Sequence, residues 1–154
     1  MPDNLDEGQI EWVLQHRVLG HLGCFSDATC YVVPICYAYD GQCIYGRTYE
    51  GLKIQMMRKN PNVCFQVEHI ENMARWQSVI CWGDFEELKD RDQRDKAISV
   101  LKNRIEAVVD SDALRRSAQW PFSIDDSKEV KGILFCIHIH KKTGKRSVYD
   151  ESMV

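Results

Sequence analysis

Short apolar runs separated by turn residues recur along the chain and predict a mainly β protein. Six of these runs have the length and composition of strands, and they cover residues 21–25, 31–39, 42–45, 63–67, 76–88 and 132–140. One helical stretch lies before these runs, and two lie between them. Six antiparallel strands with peripheral helices fit a small β-barrel, which is the fold class that the pattern predicts.

The three predicted helices are marked by different signals. The first is expected to begin with Asp3 or Asn4 as its cap residue, ahead of a short apolar stripe. The second is short and closes at Asn60, because the residue before a proline is pushed out of the α region. The third runs from Asp90, its cap, to residue 109, and its apolar side chains recur at spacings of three and four residues.

Three positions indicate turns or irregularities in the sheet. Asp40-Gly41 separates two β-rich runs and predicts a tight hairpin, because glycine accepts the positive φ that such a turn needs. Pro34 cannot donate to a strand ladder, so its strand belongs at an edge, at a bulge or beside something other than a strand. Gly83 lies midway along a long strand and indicates a bulge or bend there.

Length and charge narrow the class of protein. The chain has 154 residues, which suits one domain over residues 1–154. Its hydrophobic fraction of 44% and its net charge of −3 exclude a disordered chain and argue against a nucleic-acid partner. No apolar run approaches the length of a membrane span, and the acidic start is unlike a signal peptide, so no membrane partner is expected.

The cysteine pattern bears on the redox compartment. There are seven cysteines, an odd number, with no C-x-x-C pair and no zinc-type spacing, and several fall inside apolar runs. We therefore expect reduced, mostly buried thiols in a cytoplasmic protein. A disulfide among Cys24, Cys30 and Cys43 is the alternative.

One short segment combines the parts of an anion site. Between the strand at 42–45 and the second helix, residues 46–53 carry Arg47, the Thr48 hydroxyl and Lys53. A helix start adds free N–H groups and a favourable dipole, and the two cations add fixed positive charge. Solvated cations flanking a turn are the alternative interpretation.

The order of these features resembles a known family. The motif V-P-x-x-Y-x-Y-D-G … Y-x-R-T-x-x-G-x-K … N-P-x-V-C-F, followed by Trp76-Gln77-Ser78-Val79 and Gly83, is similar to the pyridoxamine 5′-phosphate oxidase-related flavoproteins. Within them it looks most like the branch that includes the nitroimidazole-resistance proteins. The resemblance runs from about residue 15 to about residue 87, with a weaker echo over residues 132–146.

The resemblance implies a fold, a cofactor and a partner. The fold is the six-stranded antiparallel split β-barrel of the FMN-binding type, with peripheral helices. The cofactor is FMN, and the family assembles as a homodimer with two flavin sites at the interface between subunits. A small molecule is then the substrate.

The resemblance also assigns roles to residues. It places the backbone of Val33, Pro34, Ile35 and Cys36 along the flavin ring and gives Ser78 a hydrogen bond to that ring. It places Arg47, Thr48 and Lys53 at the flavin 5′-phosphate, although Gly51 stands where some relatives carry serine. Trp120, in an apolar Trp-Pro-Phe cluster, is implied as a contact to the partner subunit's flavin site.

Catalytic and metal-binding candidates are few. The predicted polar connector at 68–75 holds His69, which is the catalytic candidate because it follows a strand end in a loop. Leu134, Cys136, His138 and His140 line one face of the last strand, and the two alternating histidines on it could bind a metal. No third ligand is evident beside the two histidines, so no metal site is predicted.

Several functions stay open at this point. The first hypothesis is an FMN-dependent oxidoreductase that reduces a small nitroaromatic or quinone-like acceptor, because the chain shows no acid–base pair and cofactor chemistry needs none. Alternatives are a non-catalytic flavin- or haem-binding split-barrel protein, a pyridoxamine phosphate oxidase, and a deazaflavin enzyme of the same fold. A haem protein would need an axial histidine, for which His21, His69, His138 and His140 are available.

Overall fold

The computed structural model describes residues 2–108 and 132–148. In chain order, the elements of this part are β1 (Asp3–Asn4), α1 (Glu7–His16), β2 (Leu19–Ser26), β3 (Thr29–Cys36), β4 (Ala38–Tyr39), β5 (Cys43–Thr48), α2 (Leu52–Lys59), β6 (Asn62–Asn72), β7 (Arg75–Leu88), α3 (Arg91–Val108) and β8 (Ile133–Arg146). No helix among the described residues is both long enough and apolar enough to cross a membrane.

The strands form one antiparallel sheet that curls without closing. Their order is β3-β2-β6-β7-β8-β5-β4, and the short β1 pairs with β8. Across the open side, β3 and β5 approach one another without a strand ladder in the described part of the chain. Six long strands, two very short ones and three helices therefore confirm the predicted split barrel with peripheral helices.

Two apolar cores lie on opposite faces of the curled sheet. The barrel interior holds the main core, in which Tyr37, Phe65 and Phe135 are fully buried. The second core lies outside the barrel, where Ala97 and Leu101 of α3 pack on the outer face of β5 and β8. Since side chains of a strand alternate between faces, Phe135 and Ile137 belong to the main core, whereas Leu134 and Cys136 belong to the second.

Local turn signals are confirmed. The Oδ1 atom of Asp40 accepts hydrogen bonds from the backbone N–H groups of residues 42 and 43, at 2.9 and 2.7 Å, and Gly41 has φ of 98°. Pro34 lies in β3, the strand at one end of the sheet. The β7–β8 register shifts between Trp82 and Gly83, where the predicted irregularity lies.

Several boundaries differ from the sequence prediction, and three of the differences concern the first helix, the run at 31–39 and the predicted connector. The cap of α1 is Asp6, which forms a capping box with Gln9, and not Asp3 or Asn4, which pair with β8 instead. The run at 31–39 is interrupted at Tyr37, whose buried hydroxyl donates to the Leu14 carbonyl oxygen at 2.8 Å. The polar connector predicted at 68–75 is wrong for most of its length.

The strands β6 and β7 extend through that connector. They pair as far as Ile70 with Trp76, and a register shift follows before Asn72 with Arg75, so the turn occupies only residues 73 and 74. Polar residues are tolerated there because alternate side chains of this hairpin face solvent. The pairing of β6 with β7 therefore extends well beyond the apolar run from which β6 was predicted.

Candidate functional site

The junction between β5 and α2 leaves one end of a helix without a side-chain cap. The strand ends at Thr48, and Gly51 is the cap residue of α2 but contributes no side-chain hydrogen bond. The free N–H groups of the first helical turn and the helix dipole favour an anion at this end. Lys53, in that first turn, is half-buried and makes no hydrogen bond or ion pair with the described residues.

The other two cations of α2 already have carboxylate partners. Arg58 contacts Glu87 at 2.7 Å and Glu50 at 2.8 Å. The hydrogen bond to Glu87 raises the pKa of Arg58 most, and the hydrogen bond to Glu50 raises it further. The bond between Arg58 and Glu87 also lowers the pKa of Glu87. Lys59 contacts Asp27 at 2.8 Å. Lys53 is thus the cation of this helix whose charge is not matched by a carboxylate among the described residues.

Arg47 and Thr48 lie on opposite faces of the sheet. Arg47 pairs with Leu134 of the second core, and Thr48 pairs with Ile133, which packs against the main core. The Arg47 guanidinium lies 5.3 Å from the ring centre of Tyr49, and its Nη2 donates to the Tyr49 hydroxyl at 2.7 Å. The structure therefore does not direct the Arg47 and Thr48 side chains toward the same point.

Thr48 itself is buried at the end of β5. Its side chain is 7% exposed, and its hydroxyl donates to the Tyr49 carbonyl oxygen at 3.3 Å. A hydroxyl still has free acceptor lone pairs when it donates one hydrogen bond. Its location in the strand end that leads into α2 keeps it beside the uncapped helix start, as the sequence predicted for this pair of elements.

The segment Val33–Cys36 forms the open edge of the sheet. Val33 and Ile35 face the main core, whereas Pro34 is exposed, and the strand pairs with β2 alone among the described strands. An edge strand presents backbone N–H and C=O groups that no neighbour satisfies. This edge therefore offers polar backbone atoms beside an apolar floor.

Ser78 is far from that edge within one chain. The strand order places β2 and β6 between β3 and β7, and neighbouring strands are about 4.8 Å apart, so the separation is about 14 Å along the sheet. The Ser78 hydroxyl oxygen accepts from the Gln66 side-chain amide at 3.0 Å, and the same amide nitrogen donates to Glu68 at 3.1 Å. Gln66 was not singled out by the sequence.

His69 occupies a strand, which corrects its predicted place in a loop. It pairs with Gln77, its side chain is 25% exposed, and the Trp12 ring meets it edge-on at 5.9 Å. Its Nδ1 atom is buried without a hydrogen-bond partner among the described residues, and Nε2 lies 3.6 Å from Glu71. Trp12 and His69 border a cleft of about 400 Å³ that Arg75, Trp76 and other residues complete.

Two predictions remain, one for the cysteines and one for Trp120. All seven cysteines are free thiols, as expected, and they range from buried to exposed. Burial raises the pKa of the Cys24 thiol, the neighbouring Cys64 raises it further, and the positive charge of Lys53 opposes both. Trp120 lies outside the described residues.

Comparisons with known proteins agree on one family. The family model described as pyridoxamine 5′-phosphate oxidase matches residues 6–146. The uncharacterized protein RA0666 of Rhizobium meliloti strain 1021 is 28% identical over 137 residues, which cover 86% of this chain and 87% of that protein.

Solved structures are similar to this chain over nearly its whole length. An FAD-binding protein of Mesorhizobium loti is 32% identical and superposes with a TM-score of 0.71, covering 96% of this chain and 99% of that one. A candidate 5-nitroimidazole antibiotic resistance protein of Bacteroides thetaiotaomicron has a TM-score of 0.74 at 21% identity, covering 95% of this chain and 87% of that one. The second likeness is one of fold alone.

Proposed function

The chain belongs to the pyridoxamine 5′-phosphate oxidase family, and from that premise we propose that it is a flavin-dependent oxidoreductase which reduces a small acceptor. The observation that carries the proposal is Lys53, a half-buried cation at an uncapped helix start whose charge no described carboxylate matches. A phosphate group is the anion that such a combination of charge, dipole and free N–H groups holds best.

The residues present fit the phosphate end of a flavin. Lys53 supplies a charge-assisted hydrogen bond, the first turn of α2 supplies backbone N–H groups, and the Thr48 hydroxyl lies at the end of the preceding strand. The side chain of Arg47 already donates to Tyr49 and belongs to the opposite face, so we assign it a smaller share of the phosphate binding than Lys53.

The ring end of the cofactor is proposed to lie along Val33–Cys36. The edge of β3 would form backbone hydrogen bonds with the polar rim of the ring, and Pro34 fits a strand whose outer edge pairs with none of the described strands. When bound, a flavin supplies the electron or hydride transfer that this chain's own side chains do not provide. The protein's part is to orient the ring and to limit solvent access to one side of it.

We propose FMN as the flavin, with FAD as the alternative. The Mesorhizobium loti relative is described as FAD-binding, and both flavins present a phosphate at the same end of the ribityl chain. FMN ends there, and the one unmatched cation of α2 suits a single phosphate group. Release of the bound cofactor by denaturation, followed by chromatography against both standards, decides between them.

A homodimer is part of the proposal. Ser78 lies about 14 Å from the β3 edge along the sheet of one chain, and we propose that the Ser78 beside the ring comes from a second chain. Trp120 and its apolar neighbours are proposed to reach the same site across the interface. Sedimentation equilibrium at micromolar protein with flavin bound should give a dimer, and a monomer under those conditions would overturn this part.

The free thiols support a reducing compartment, and we propose the cytoplasm.

The test of function combines a spectrum with turnover. Protein purified without added cofactor is expected to show the two absorption bands of oxidised flavin, and these bands should bleach under anaerobic NADH or NADPH. The acceptors to test are nitroimidazoles, quinones and oxygen. Pyridoxamine 5′-phosphate is tested as the donor in place of NADH or NADPH, with oxygen as the acceptor. A nitro or quinone acceptor is expected to restore the flavin bands with multiple turnovers.

Other outcomes assign other functions. A Soret band in place of flavin bands would indicate a haem protein and refute the proposal. Flavin bands that NADH, NADPH and pyridoxamine 5′-phosphate all leave unchanged would indicate a flavin-binding protein without this activity. Pyridoxamine 5′-phosphate oxidation faster than acceptor reduction would assign the family's described reaction instead.

A further inference from the structure

A second cluster of chemically reactive side chains lies on the outer face of the sheet, where β5, β7 and β8 pair. Cross-strand pairing places Glu86 beside Cys136 and Cys43 beside His138. The Nε2 atom of His138 lies 3.1 Å from Glu86 Oε2 and 3.3 Å from Cys136 Sγ. All three ligand atoms lie within 4.8 Å of one another. We propose that Glu86, Cys136 and His138 bind a zinc ion.

The two distances from His138 Nε2 are close to those between neighbouring ligands of a zinc ion. Zinc binds nitrogen, oxygen and sulfur ligands at about 2.0–2.3 Å, so neighbouring ligands around a tetrahedral ion are about 3.3–3.7 Å apart. The two distances from His138 Nε2, 3.1 and 3.3 Å, differ from that range by a few tenths of an ångström at most. Small side-chain rotations of Glu86 and His138 close the difference, because both side chains are near half exposed.

Hydrogen bonds alone cannot satisfy both contacts of the His138 Nε2 atom. A ring nitrogen carries either one hydrogen or one lone pair, so His138 Nε2 can fully satisfy only one of its two contacts. A cation between the three atoms satisfies all of them at once. The charges also balance, because a thiolate and a carboxylate neutralise a divalent ion, while the imidazole binds as the neutral ring.

Cys43 completes the environment without binding the ion. Its Sγ atom lies 3.5 Å from Nδ1, on the opposite side of the His138 ring. A contact at the second nitrogen fixes the ring orientation and leaves Nε2 for the metal, as is usual for metal-binding histidines. Three protein ligands leave the fourth position of the ion for water. Glu86 and His138 are 46% and 52% exposed, which gives the ion access from solvent.

None of the three ligands is among the residues proposed for the flavin phosphate, so the two proposals fail independently. The test uses chelator-treated protein with its flavin content unchanged, titrated with zinc against a chromophoric competitor. One zinc per chain is expected. Cobalt should give a thiolate-to-metal charge-transfer band that Cys136→Ala abolishes and Glu86→Gln retains at lower affinity.

Variants separate ligands from bystanders. Glu86→Gln and Cys136→Ala should lose more than the roughly ten- to hundredfold in affinity expected of Cys43→Ala, a residue that only orients a ligand. Cys30→Ala, at an exposed thiol, and His140→Gln should match the wild type. Glu86 is a surface residue, so Glu86→Gln decides the matter even if Cys136→Ala fails to fold. Absence of stoichiometric zinc binding by the wild type would overturn the zinc site. Wild-type zinc affinity in Glu86→Gln, or in a folded Cys136→Ala, would overturn it as well.

Discussion

Replacing Lys53 with methionine tests the proposed phosphate site directly. Methionine keeps much of the length and apolar surface of the lysine stem but removes the ammonium group. Lys53 makes no hydrogen bond or ion pair with the described residues, so the fold loses no bond with it. A cation in the first helical turn also opposes the helix dipole, and its removal should leave the free energy of unfolding of the flavin-free protein nearly unchanged.

The expected loss in FMN affinity follows from the kind of bond removed. Hydrogen bonds to charged groups contribute about 1.5–3 kcal/mol when one partner is removed. That free energy corresponds to about a ten- to hundredfold weaker dissociation constant. Lys53 is only half-buried, and solvent screens its charge, so the lower half of that range is the expectation. Riboflavin lacks the phosphate, and its weaker binding should hardly change.

The assay is a flavin-fluorescence titration of flavin-free protein with FMN and with riboflavin. Lys59→Met is the matched control, because Lys59 lies on the same helix but pairs with Asp27 at 2.8 Å on the surface. It should leave both affinities unchanged. Arg47→Met should weaken FMN less than Lys53→Met, because its guanidinium lies on the opposite face of the sheet and already donates to Tyr49.

Two results would refute this reasoning. Equal losses for FMN and riboflavin in Lys53→Met would mean that the lysine does not contact the phosphate and acts on the site as a whole. No loss for either flavin would make Lys53 an ordinary solvated surface residue. A larger loss in Arg47→Met than in Lys53→Met would restore Arg47 as the main phosphate ligand and would contradict the division between the two faces.

Asp40→Ala should lower the free energy of unfolding by about 1–2 kcal/mol, measured in urea, because its carboxylate accepts two backbone hydrogen bonds in the hairpin. Burial raises the pKa of Asp40, but these bonds outweigh it and lower the pKa overall. The difference from wild type should therefore persist above the unfolded-state pKa and shrink as pH falls through the folded one; a constant difference in acid would contradict this. Gly83→Ala should cost about 1–3 kcal/mol in thermal unfolding, because its Cβ would lie 2.4 Å from the His138 carbonyl oxygen, whereas Gly8→Ala should be near neutral. Thiol titration in denaturant without reductant should find all seven cysteines free, and a lower count would indicate a disulfide.

Local signals in the sequence predicted much of the fold correctly. The Asp40-Gly41 hairpin, the helix that follows Asp90 and the irregularity at Gly83 depend on residues close in sequence or on one residue's own stereochemistry. The apolar runs located all six long strands, because a strand buried on one side must carry apolar residues wherever the sheet lies. The order of motifs in one segment was also enough to identify the family.

Strand ends and cross-strand neighbours were decided by the tertiary structure. The sequence ended one strand at Tyr45, but β5 continues to Thr48 because its residues pair with β8. That extension separates Arg47 from Thr48 by the alternation of faces. Pairing between β6 and β7 likewise draws His69 into a strand, where the local polarity had predicted a loop.

The cluster of Glu86, Cys136 and His138 was likewise decided by cross-strand pairing. Alternation along the last strand placed Cys136, His138 and His140 on one face, but the sequence offered only the two histidines as metal ligands and no third ligand was evident. Glu86 lies about fifty residues earlier in the chain and becomes their neighbour only through the register of β7 against β8. The sequence by itself determined which face each strand residue occupies, because backbone stereochemistry imposes that alternation. Which residues meet across strands depended on the register, and the register is fixed by packing over the whole sheet.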